Sequence, residues 1–426
     1  MNAATRARLK WGWRGAAGDI AIWNTMLIET LSKRDDIELH VIAPANHMAH
    51  LTQEFEIGRV HYHYFKPDAP FLHINWMHLG RLDQRTNYWL TRHIVQKWVR
   101  KINPDIVNLT GAENPHYSTS ILGLKDYPVY ISMQGIYSNP IRFKTEKKDV
   151  WREKFERWVH RENRYFGLNA EFMKELILRD APKDSCLFWT RPLNKEADLS
   201  QCRSNEKKFD FVFFSRMNRN KGSMDVLKAA AIVKKTHPNL KILFTSRGHG
   251  EFWEKFEAEM RELGLSDNVT CLNGFAQHDD LMREVAKAKY HILPTYIDTI
   301  PCTIFEGLRL GLPFVGYKTG DIPKLNIGDE RVLLANQGDV DTLAKQMLRL
   351  MEDDKFAADL RDKAMSFVDR YFSNSANVEQ LLKCYRAVID NYHNGTPIPA
   401  GLLYDEYLNG KIKDSSSEEL EGEKGV

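Results

Sequence analysis

The sequence predicts an α/β protein with two domains, each built on a doubly wound parallel sheet. Through the second half of the chain, strand-like apolar runs alternate strictly with segments of helical periodicity. The 426 residues are too many for one ordinary hydrophobic core. A polar stretch without periodicity, 194–208, separates the two halves and is the best predicted domain boundary.

Composition excludes several classes of protein. The net charge of +3 is small for this length, so no nucleic-acid partner is expected. No run of about 18 apolar residues predicts a membrane span, and the first residues lack the apolar core of a signal peptide. The five cysteines are scattered and show no CxxC spacing, which predicts neither a disulfide framework nor a metal site and favours the reducing cytoplasm.

The first half begins without the apolar strand that usually opens an α/β domain. Residues 1–19 are rich in Ala, Arg and Gly, so the first strand is expected to be poorly formed. Strands are predicted at 37–44, 60–65, 104–109, 128–133 and 164–169. Helices are predicted at 20–33, 86–102, from 118, 144–164 and 171–178.

The helix at 86–102 has a strongly basic face and carries Trp89 and Trp98. A basic amphipathic helix with tryptophans can lie on an anionic membrane surface, which would place the protein at the inner face of the membrane. Basic helix faces are also common on ordinary packed helices, and that interpretation is favoured.

Polar residues follow two consecutive strands of the first half. Glu113, Asn114 and His116 come after the strand at 104–109, and Gln134 comes after the strand at 128–133. Carboxyl ends of parallel strands share one edge of a sheet, so these residues are candidates for a ligand cleft. Asn114 followed by Pro115 is equally typical of a simple turn, and for His116 a surface role is as well supported as a functional one.

The second half predicts a clean alternation. Strands are expected at 209–214, 240–245, 269–272, 290–293 and 314–317. Helices are expected at 226–234, 252–263, 281–288, 302–310, 339–353, 356–367 and 375–392. The polar tail 411–426 is predicted to be disordered.

Two loops of this half carry the chemistry. Arg216 and Lys221 follow a strand directly and would suit a diphosphate, with Gly222 allowing a close turn. Asp298 precedes the helix at 302–310 and Glu306 lies one turn inside it; the helix N-terminus favours a phosphate, and the carboxylates can accept hydrogen bonds from sugar hydroxyls. Taken singly, each residue has an ordinary structural explanation: a surface loop, a turn or a buried ion pair.

A nearby glycine pair does not add a cofactor. The segment 246–250 reads SRGHG, which lacks the third glycine of a dinucleotide fingerprint. No resident cofactor is predicted.

Three segments resemble the nucleotide-sugar-binding domain of glycosyltransferase family four, the retaining GT-B enzymes of group 1 type. They are FFSRMNRNKG at 213–222, NGF at 273–275 and DTIPCTIFEGLRLGLPFVGYKTGDIP at 298–323. The resemblance implies two Rossmann-like domains facing a cleft: an acceptor-side domain at 1–195, a nucleotide-sugar domain at 196–370, and a C-terminal helix at 371–400 that crosses back to the first domain.

The resemblance also implies residue roles. Arg216 and Lys221 would hold the donor diphosphate, Glu306 the ribose, and Asp298 the donor sugar, with Asp standing where the family has Glu. Further residues of the matching segments are expected to line the donor site: Ser215, Gly222, Phe275, Thr299, Cys302 and Thr303. The four catalytic candidates are thus Arg216, Lys221, Asp298 and Glu306, and no metal is implied.

By the same resemblance, the protein would transfer a sugar from a nucleoside diphosphate donor to a hydroxyl of a glycan or lipid-linked acceptor, with retention, in cell-surface polysaccharide biosynthesis. Lys324 replaces the Glu of the family's GGxPE motif. Gln134 stands where the family often has the histidine of a His-Gly pair. Two alternatives stay open: a non-catalytic protein that binds nucleotide sugars, and a sugar-nucleotide epimerase of the same architecture.

Overall fold

A computed structural model describes residues 22–45, 48–67, 82–140, 147–190, 193, 199–248, 250–275, 278–326, 328–371 and 374–406. The lead segment 1–19, the first five residues of the predicted boundary (194–198) and the tail 411–426 lie outside the described residues. The chain divides into two compact units. Unit 1 combines Met1–Lys195 with Asn374–Lys411, and unit 2 contains Glu196–Ser373.

Unit 1 holds two sheets among its described residues. The first is ordered β1-β3-β2, and the second, all parallel, is ordered β4-β5-β6-β7. Their strands are β1 (Leu39–Pro44), β2 (Thr52–Ile57), β3 (Val60–Phe65), β4 (Val107–Thr110), β5 (Val129–Ser132), β6 (Tyr165–Leu168) and β7 (Cys186–Trp189). Strand β3 pairs parallel to β1 and antiparallel to β2, which joins it through a two-residue turn.

The helices of unit 1 cover these sheets. They are α1 (Ile22–Leu31), α2 (Leu82–Arg85), α3 (Trp89–Ile102), α4 (Pro115–Ser118), α5 (Lys147–Arg161) and α6 (Phe172–Leu178), with α13 (Asn374–Asn394) added from the end of the chain. Helix α13 packs Val378, Cys384 and Val388 into one core with Tyr130 of β5 and Phe188 of β7. Helix α13 therefore completes the core of unit 1, although it follows unit 2 in the sequence.

Helix α3 begins three residues later than its periodicity predicts. Asn87 and Tyr88 have φ of 52° and 56°, a left-handed backbone that no α-helix continues through. The buried side of α3 contains Val95, Trp98 and Val99. The helix expected from residue 118 is instead the short α4, extended by a 3-10 turn at Thr119–Ile121.

Unit 2 is built on one six-stranded parallel sheet, ordered β10-β9-β8-β11-β12-β13. Its strands are β8 (Phe209–Phe213), β9 (Ile242–Phe244), β10 (Val269–Cys271), β11 (Ala288–Leu293), β12 (Phe314–Tyr317) and β13 (Leu333–Ala335). Its helices are α7 (Ser223–Val233), α8 (Gly250–Glu262), α9 (His278–Val285), α10 (Cys302–Arg309), α11 (Val340–Glu352) and α12 (Asp354–Tyr371).

The core of unit 2 explains this arrangement. Strands β8, β9 and β12 are almost continuous apolar runs because helices cover both faces of the sheet. Phe211, Phe213, Phe244 and Phe314 are fully buried. Strand β11 lies between β8 and β12, so the loops that follow these three strands meet at the carboxyl edge of the sheet. Among the described helices of either unit, none has the length and hydropathy that crossing a bilayer requires.

Candidate functional site

The loops after β8 and β11 are locked together at the carboxyl edge of unit 2. Gly222 has φ of +71°, and a Cβ at this position would lie 2.0 Å from the Pro294 carbonyl oxygen. Only glycine fits here, because both the backbone conformation and the close approach exclude a side chain. The Tyr296 N–H donates to the Asn220 carbonyl at 2.8 Å. The position of Lys221, one residue before Gly222, is thereby tied to the end of β11.

Lys221 and Asp298, predicted separately, are direct partners. The Lys221 Nζ donates to Asp298 Oδ2, and each side chain is only 19% exposed. The Thr295 hydroxyl donates to the same oxygen at 2.7 Å. Asp298 Oδ1 accepts no hydrogen bond from the residues that the structure describes, so one carboxylate oxygen is left for another donor.

The loop after β12 supports Asp298 from the other side. A Cβ at Gly320 would lie 2.2 Å from the Asp298 carbonyl oxygen and 2.5 Å from that of Thr299. The Asp321 N–H donates to the Thr299 carbonyl at 3.1 Å. Thr299, expected at the donor site, is therefore placed by its backbone between two loops.

Helix α10 starts at this edge, directly after Pro301. Its first-turn N–H groups have no earlier carbonyl within the helix to bond, which makes its N-terminus suited to an anion. Cys302 and Thr303 form its first turn and are half-buried. Both belong to the predicted donor set.

Glu306 has a partner that the sequence analysis missed. It is 7% exposed, and its Oε1 lies 2.9 Å from the Nε2 of His278, the first residue of α9. His278 follows the NGF segment closely, but a histidine at a helix start has no special sequence signal. The pair holds the Glu306 carboxylate at a fixed orientation.

Three buried polar atoms around this edge make no hydrogen bond with any residue that the structure describes. They are Asn220 Oδ1, Ser223 Oγ and Thr303 Oγ1. A buried polar atom left unpaired costs about 1–3 kcal/mol, so a ligand or water that bonded to these atoms would stabilise the site. Asn220 lies in the loop after β8 and Thr303 in the first turn of α10, the two segments predicted to bind phosphate, and Ser223 begins α7 directly after that loop.

The remaining predicted donor residues are more open. Arg216 is exposed and forms no ion pair within the described part of the chain. Ser215 is half-buried, and its carbonyl accepts from the Ser246 hydroxyl at 2.7 Å. Phe275 is half-buried at the end of its loop. Arg216 is thus an available cation beside a Lys221 that is already paired.

Asp225 of α7 holds the side chains of two tyrosines near the site. Its Oδ2 accepts hydrogen bonds from the hydroxyls of Tyr296 and Tyr317, the latter at 2.9 Å. Burial and the Asp225 carboxylate raise the pKa of Tyr296 to about 12 and raise that of Tyr317 further. Both tyrosines therefore remain protonated donors at neutral pH.

A buried histidine lies beneath the site. His291 of β11 is fully buried between Phe214 and Phe314, and neither ring nitrogen has a hydrogen-bond partner among the described residues. Burial lowers its pKa to about 3, so the ring is neutral and acts as part of the core.

In unit 1, two of the predicted acceptor-side residues, Asn114 and Gln134, contact neighbours in sequence. Asn114 Nδ2 lies 3.4 Å from the Tyr117 hydroxyl, and Gln134 Nε2 lies 3.5 Å from the Ser132 carbonyl. The Glu113 carboxylate folds over Gly111, where a Cβ would lie 2.6 Å from Glu113 Oε2. His116 is half-buried in α4 and makes an edge-to-face contact with the Tyr117 ring.

A buried carboxylate that the sequence analysis missed orders the loop after β5. Glu156 of α5 is fully buried and accepts hydrogen bonds from the backbone N–H groups of Tyr137 and Ser138, both at 2.8 Å. Its position in a heavily charged helix conceals this role, because most of the neighbouring charges are solvated.

The basic face of α3 is divided between packing and solvent. Arg92 donates to the Leu122 carbonyl at 2.9 Å and lies over the Trp158 ring. Lys97, Arg100 and Trp89 are exposed, with Trp89 at 63%.

Comparison with known proteins finds similarity to one family in unit 2. Residues 194–367 match the family model described as Glycosyl transferases group 1. Over 236 residues the chain is 22% identical to the poly(glycerol-phosphate) alpha-glucosyltransferase of Bacillus subtilis (strain 168), covering 55% of this chain and 33% of that protein. Over 196 residues it is 26% identical to the D-inositol 3-phosphate glycosyltransferase of Corynebacterium jeikeium (strain K411), covering 44% and 46%. The chain therefore spans less than half the length of these relatives.

Solved structures extend the likeness to both units. Sucrose-phosphate synthase from Thermosynechococcus elongatus superposes with a TM-score of 0.66 at 16% identity, covering 89% of this chain and 96% of that one. Anabaena HepE, in complex with UDP and glucose, superposes with a TM-score of 0.63 at 15% identity, covering 88% and 97%. The fold is GT-B, as the resemblance implied, and the part of the chain from 194 to 367 is similar to the group 1 glycosyltransferases.

Proposed function

We propose that this protein is a retaining glycosyltransferase that moves a sugar from a nucleoside diphosphate sugar to a hydroxyl of a glycan or lipid-linked acceptor. The observation that carries the proposal is the Lys221–Asp298 pair. It joins the loops after β8 and β11 beside the N-terminus of α10, within the region that matches the family.

The donor diphosphate would lie against Arg216, Lys221 and the first turn of α10. These groups supply positive charge where the leaving diphosphate gains negative charge in the transition state. The unpaired Ser223 and Thr303 hydroxyls can donate to phosphate oxygens. A diphosphate supplies both the charge and the acceptors that this edge lacks.

The two carboxylates would recognise hydroxyl groups of the donor's ribose and of its transferred sugar. Glu306, oriented by His278, would accept from the ribose hydroxyls. Asp298 would use its unengaged Oδ1 for a hydroxyl of the transferred sugar. Lys221 would then contribute to binding of both the sugar and the diphosphate. It neutralises Asp298 before the donor binds, and its charge would also act on the diphosphate once the donor is bound.

We also propose that the reaction retains the anomeric configuration of the transferred sugar and requires no metal ion. The site uses cations and a helix N-terminus for the task that a divalent ion performs elsewhere. Two of its carboxylates, Asp298 and Glu306, are engaged by Lys221 and His278. The acceptor hydroxyl would therefore attack from the leaving-group side, without a carboxylate nucleophile.

The acceptor side of the proposal rests on Glu113, Asn114, His116 and Gln134. The named relatives act, by their names, on glycerol-phosphate polymers and inositol 3-phosphate, which supports a hydroxyl acceptor of the kind found in cell-surface polymers. No disulfide joins any of the five cysteines, all of which the structure describes, and this supports a cytoplasmic location.

A donor screen tests this function. Thermal stability would be measured with UDP-, GDP- and ADP-sugars, and each stabilising donor would then be assayed for nucleoside diphosphate release with and without polyol acceptors. We expect one nucleotide class to stabilise the protein, acceptor-dependent turnover, and a product with the donor's anomeric configuration by NMR. Donor binding without turnover would instead favour the non-catalytic protein, and conversion of donor without acceptor would favour the epimerase.

Two arginine variants provide the matched control. Arg216→Met should abolish the donor-dependent stabilisation, whereas Arg261→Met, an exposed arginine on α8, should retain it. Equal behaviour of the two variants would contradict the assignment of Arg216.

Peripheral membrane contact through α3 stays a prediction. Lys97→Glu and Arg100→Glu test it without disturbing packing, since both side chains are exposed whereas Arg92 is not. Loss of co-sedimentation with anionic vesicles is the expected result, and unchanged co-sedimentation would contradict it.

A further inference from the structure

One face of the β1-β3-β2 sheet in unit 1 carries a ladder of histidines and glutamates. In the strand register, His61 of β3 lies between His40 of β1 and Glu56 of β2. Two residues further along β3, His63 pairs with Glu54 of β2. The opposite face carries Val41, Val60, Tyr62, Tyr64 and Phe55, which form an apolar core. Period-two alternation therefore sends every imidazole of the sheet to the same side.

Three of these groups converge on one point. Glu38 Oε1 lies 3.0 Å from His40 Nε2 and 3.9 Å from His61 Nε2. The three ligand atoms all lie within 4.8 Å of one another. Two ligand atoms of a tetrahedral zinc site are roughly 3.4 Å apart, so the observed separations lie on either side of that value.

With the imidazoles neutral, hydrogen bonding leaves the ring nitrogen of His40 that faces Glu38 without a proton. The Glu54 carboxylate accepts from His63 Nδ1 at 3.0 Å, which makes Nε2 of a neutral His63 an acceptor. That Nε2 lies 3.1 Å from His40 Nδ1, so a neutral His40 donates from Nδ1. Its Nε2 then presents a lone pair to the Glu38 carboxylate, and the 3.0 Å contact is favourable only when that nitrogen holds a metal ion or a second proton.

His61 is oriented in the same way. Its Nδ1 lies 2.9 Å from Glu56 Oε1 and donates to it, so Nε2 presents a second lone pair towards Glu38. Histidine ligands of metals characteristically engage their other ring nitrogen with a carboxylate or another acceptor. Here both rings meet that condition, and Trp98 Nε1 in turn holds Glu54 at 3.0 Å.

We propose that Glu38, His40 and His61 bind a divalent transition-metal ion of the Zn²⁺ class. Two imidazoles and one carboxylate are ligands that Zn²⁺ favours, and three protein ligands leave a fourth position open. Glu38 and His61 also line a pocket of about 450 Å³, together with Asp35, Asp36, Ile37 and Arg59. The ion would join β1 to β3 at the side-chain level, and the site lies in unit 1, whereas the donor residues lie in unit 2.

Metal titration of the full-length, untagged, chelator-stripped protein tests the site. Zn²⁺ affinity would be measured by competition with a chromogenic chelator, and Co²⁺ would be added separately to record its visible absorption. We expect one equivalent of Zn²⁺, a higher melting temperature with Zn²⁺, and the intense Co²⁺ bands of a four-coordinate site. Absence of stoichiometric binding at pH 7.5 would overturn the proposal, since it would mean that a proton takes the place of the ion.

Three variants locate the ion. His61→Ala should weaken Zn²⁺ binding at least about a hundredfold, and Glu56→Gln, which keeps all three ligands, should weaken it about tenfold. His393→Ala, at an exposed position near the end of α13, should leave affinity unchanged. Unchanged affinity in both His61→Ala and Glu56→Gln would overturn the assignment, and Glu56→Gln decides the question if His61→Ala fails to fold. Lys221→Met should bind Zn²⁺ normally, which separates this site from the proposed donor site.

Discussion

The carboxyl edges of the two parallel sheets differ in how their polar residues are held. In unit 2, the loops after β8, β11 and β12 are joined by close backbone contacts, and Lys221 and Asp298 meet although 77 residues separate them. In unit 1, Glu156 of α5 holds the backbone of the loop after β5, but the side-chain hydrogen bonds of Asn114 and Gln134 reach only Tyr117 and Ser132, three and two residues away, at 3.4 and 3.5 Å. In unit 2, two candidate side chains from distant segments hold each other before any ligand binds, whereas the described side-chain bonds of Asn114 and Gln134 join neighbours in sequence.

This difference agrees with the tasks proposed for the two edges. Stabilising a leaving diphosphate requires charges that are fixed in advance, because reorganisation during the reaction would cost free energy. Recognition of an acceptor hydroxyl needs fewer fixed groups. The predictions below test whether the rigid edge of unit 2 has the importance that this comparison assigns to it.

The largest effect is expected at Lys221. Lys221→Met should lower kcat about 10²–10³-fold, because it removes a cation that stabilises the leaving group. Asp298→Asn should restore stability in the double variant without restoring turnover. Steady-state kinetics and urea unfolding measure the two properties, with the exposed Lys228→Met as control. Full activity of Lys221→Met would remove the central element of the comparison.

Gly222 tests the join between the loops. Gly222→Ala should lower the free energy of unfolding by about 3 kcal/mol, because a Cβ at a positive φ would also collide with the Pro294 carbonyl. Gly264→Ala is a matched control with φ of +66° and nothing within 4 Å, and it should cost only about 1 kcal/mol. If Gly222→Ala and Gly264→Ala lowered the free energy of unfolding equally in urea, the close contact between Gly222 and Pro294 would contribute nothing to stability.

His291 makes the stability of unit 2 depend on pH. Its folded pKa of about 3 lies below the ordinary value of 6.5, so the unfolded chain binds more protons and stability falls as pH drops below 6.5. Between pH 7 and pH 5 the loss should be about 2 kcal/mol, which His291→Leu should remove. Urea unfolding at the two pH values measures this, and the exposed His393→Leu serves as control. An unchanged pH dependence in His291→Leu would contradict the assignment.

The smallest effect is expected at His278. His278→Ala should raise the donor KM about fivefold, through the loss of roughly 1 kcal/mol of hydrogen bonding that orients Glu306. His278→Gln, which can place an amide N–H near the same position, should recover most of the affinity. If both variants raise KM equally, the histidine acts by packing and the pair does not position Glu306.

Most of the fold of unit 2 could be predicted because its strands are buried on both faces and read as apolar runs. Strand β13 was missed because its short apolar run lies between the polar stretches DER and NQGD, although β9 and β10 are no longer than it. In unit 1, β2 was missed because its exposed positions dominate TQEFEI, and β7 (CLFW) was missed although β4, β5 and β6 are equally short.

The site was predictable where function demands particular residue types in one segment. Lys221, Asp298 and Glu306 lie in the segments that resemble the family, whereas His278, Thr295 and Asp225 act through tertiary contacts that no local pattern encodes. The metal-ligand cluster was missed for a related reason. Its histidines are not close in sequence, and only the register of β1 against β3 brings His40 beside His61.

Calorimetric titration of nucleoside diphosphates tests the account most directly. UDP, GDP and ADP would each be titrated into the wild-type protein, Lys221→Met and Lys228→Met. The account predicts that one nucleotide binds with a stoichiometry of one, that Lys221→Met weakens it at least about tenfold by removing a charge-assisted contact, and that Lys228→Met leaves it unchanged. Binding of none of the three, or equal affinity in both lysine variants, would contradict a donor site at the carboxyl edge of unit 2.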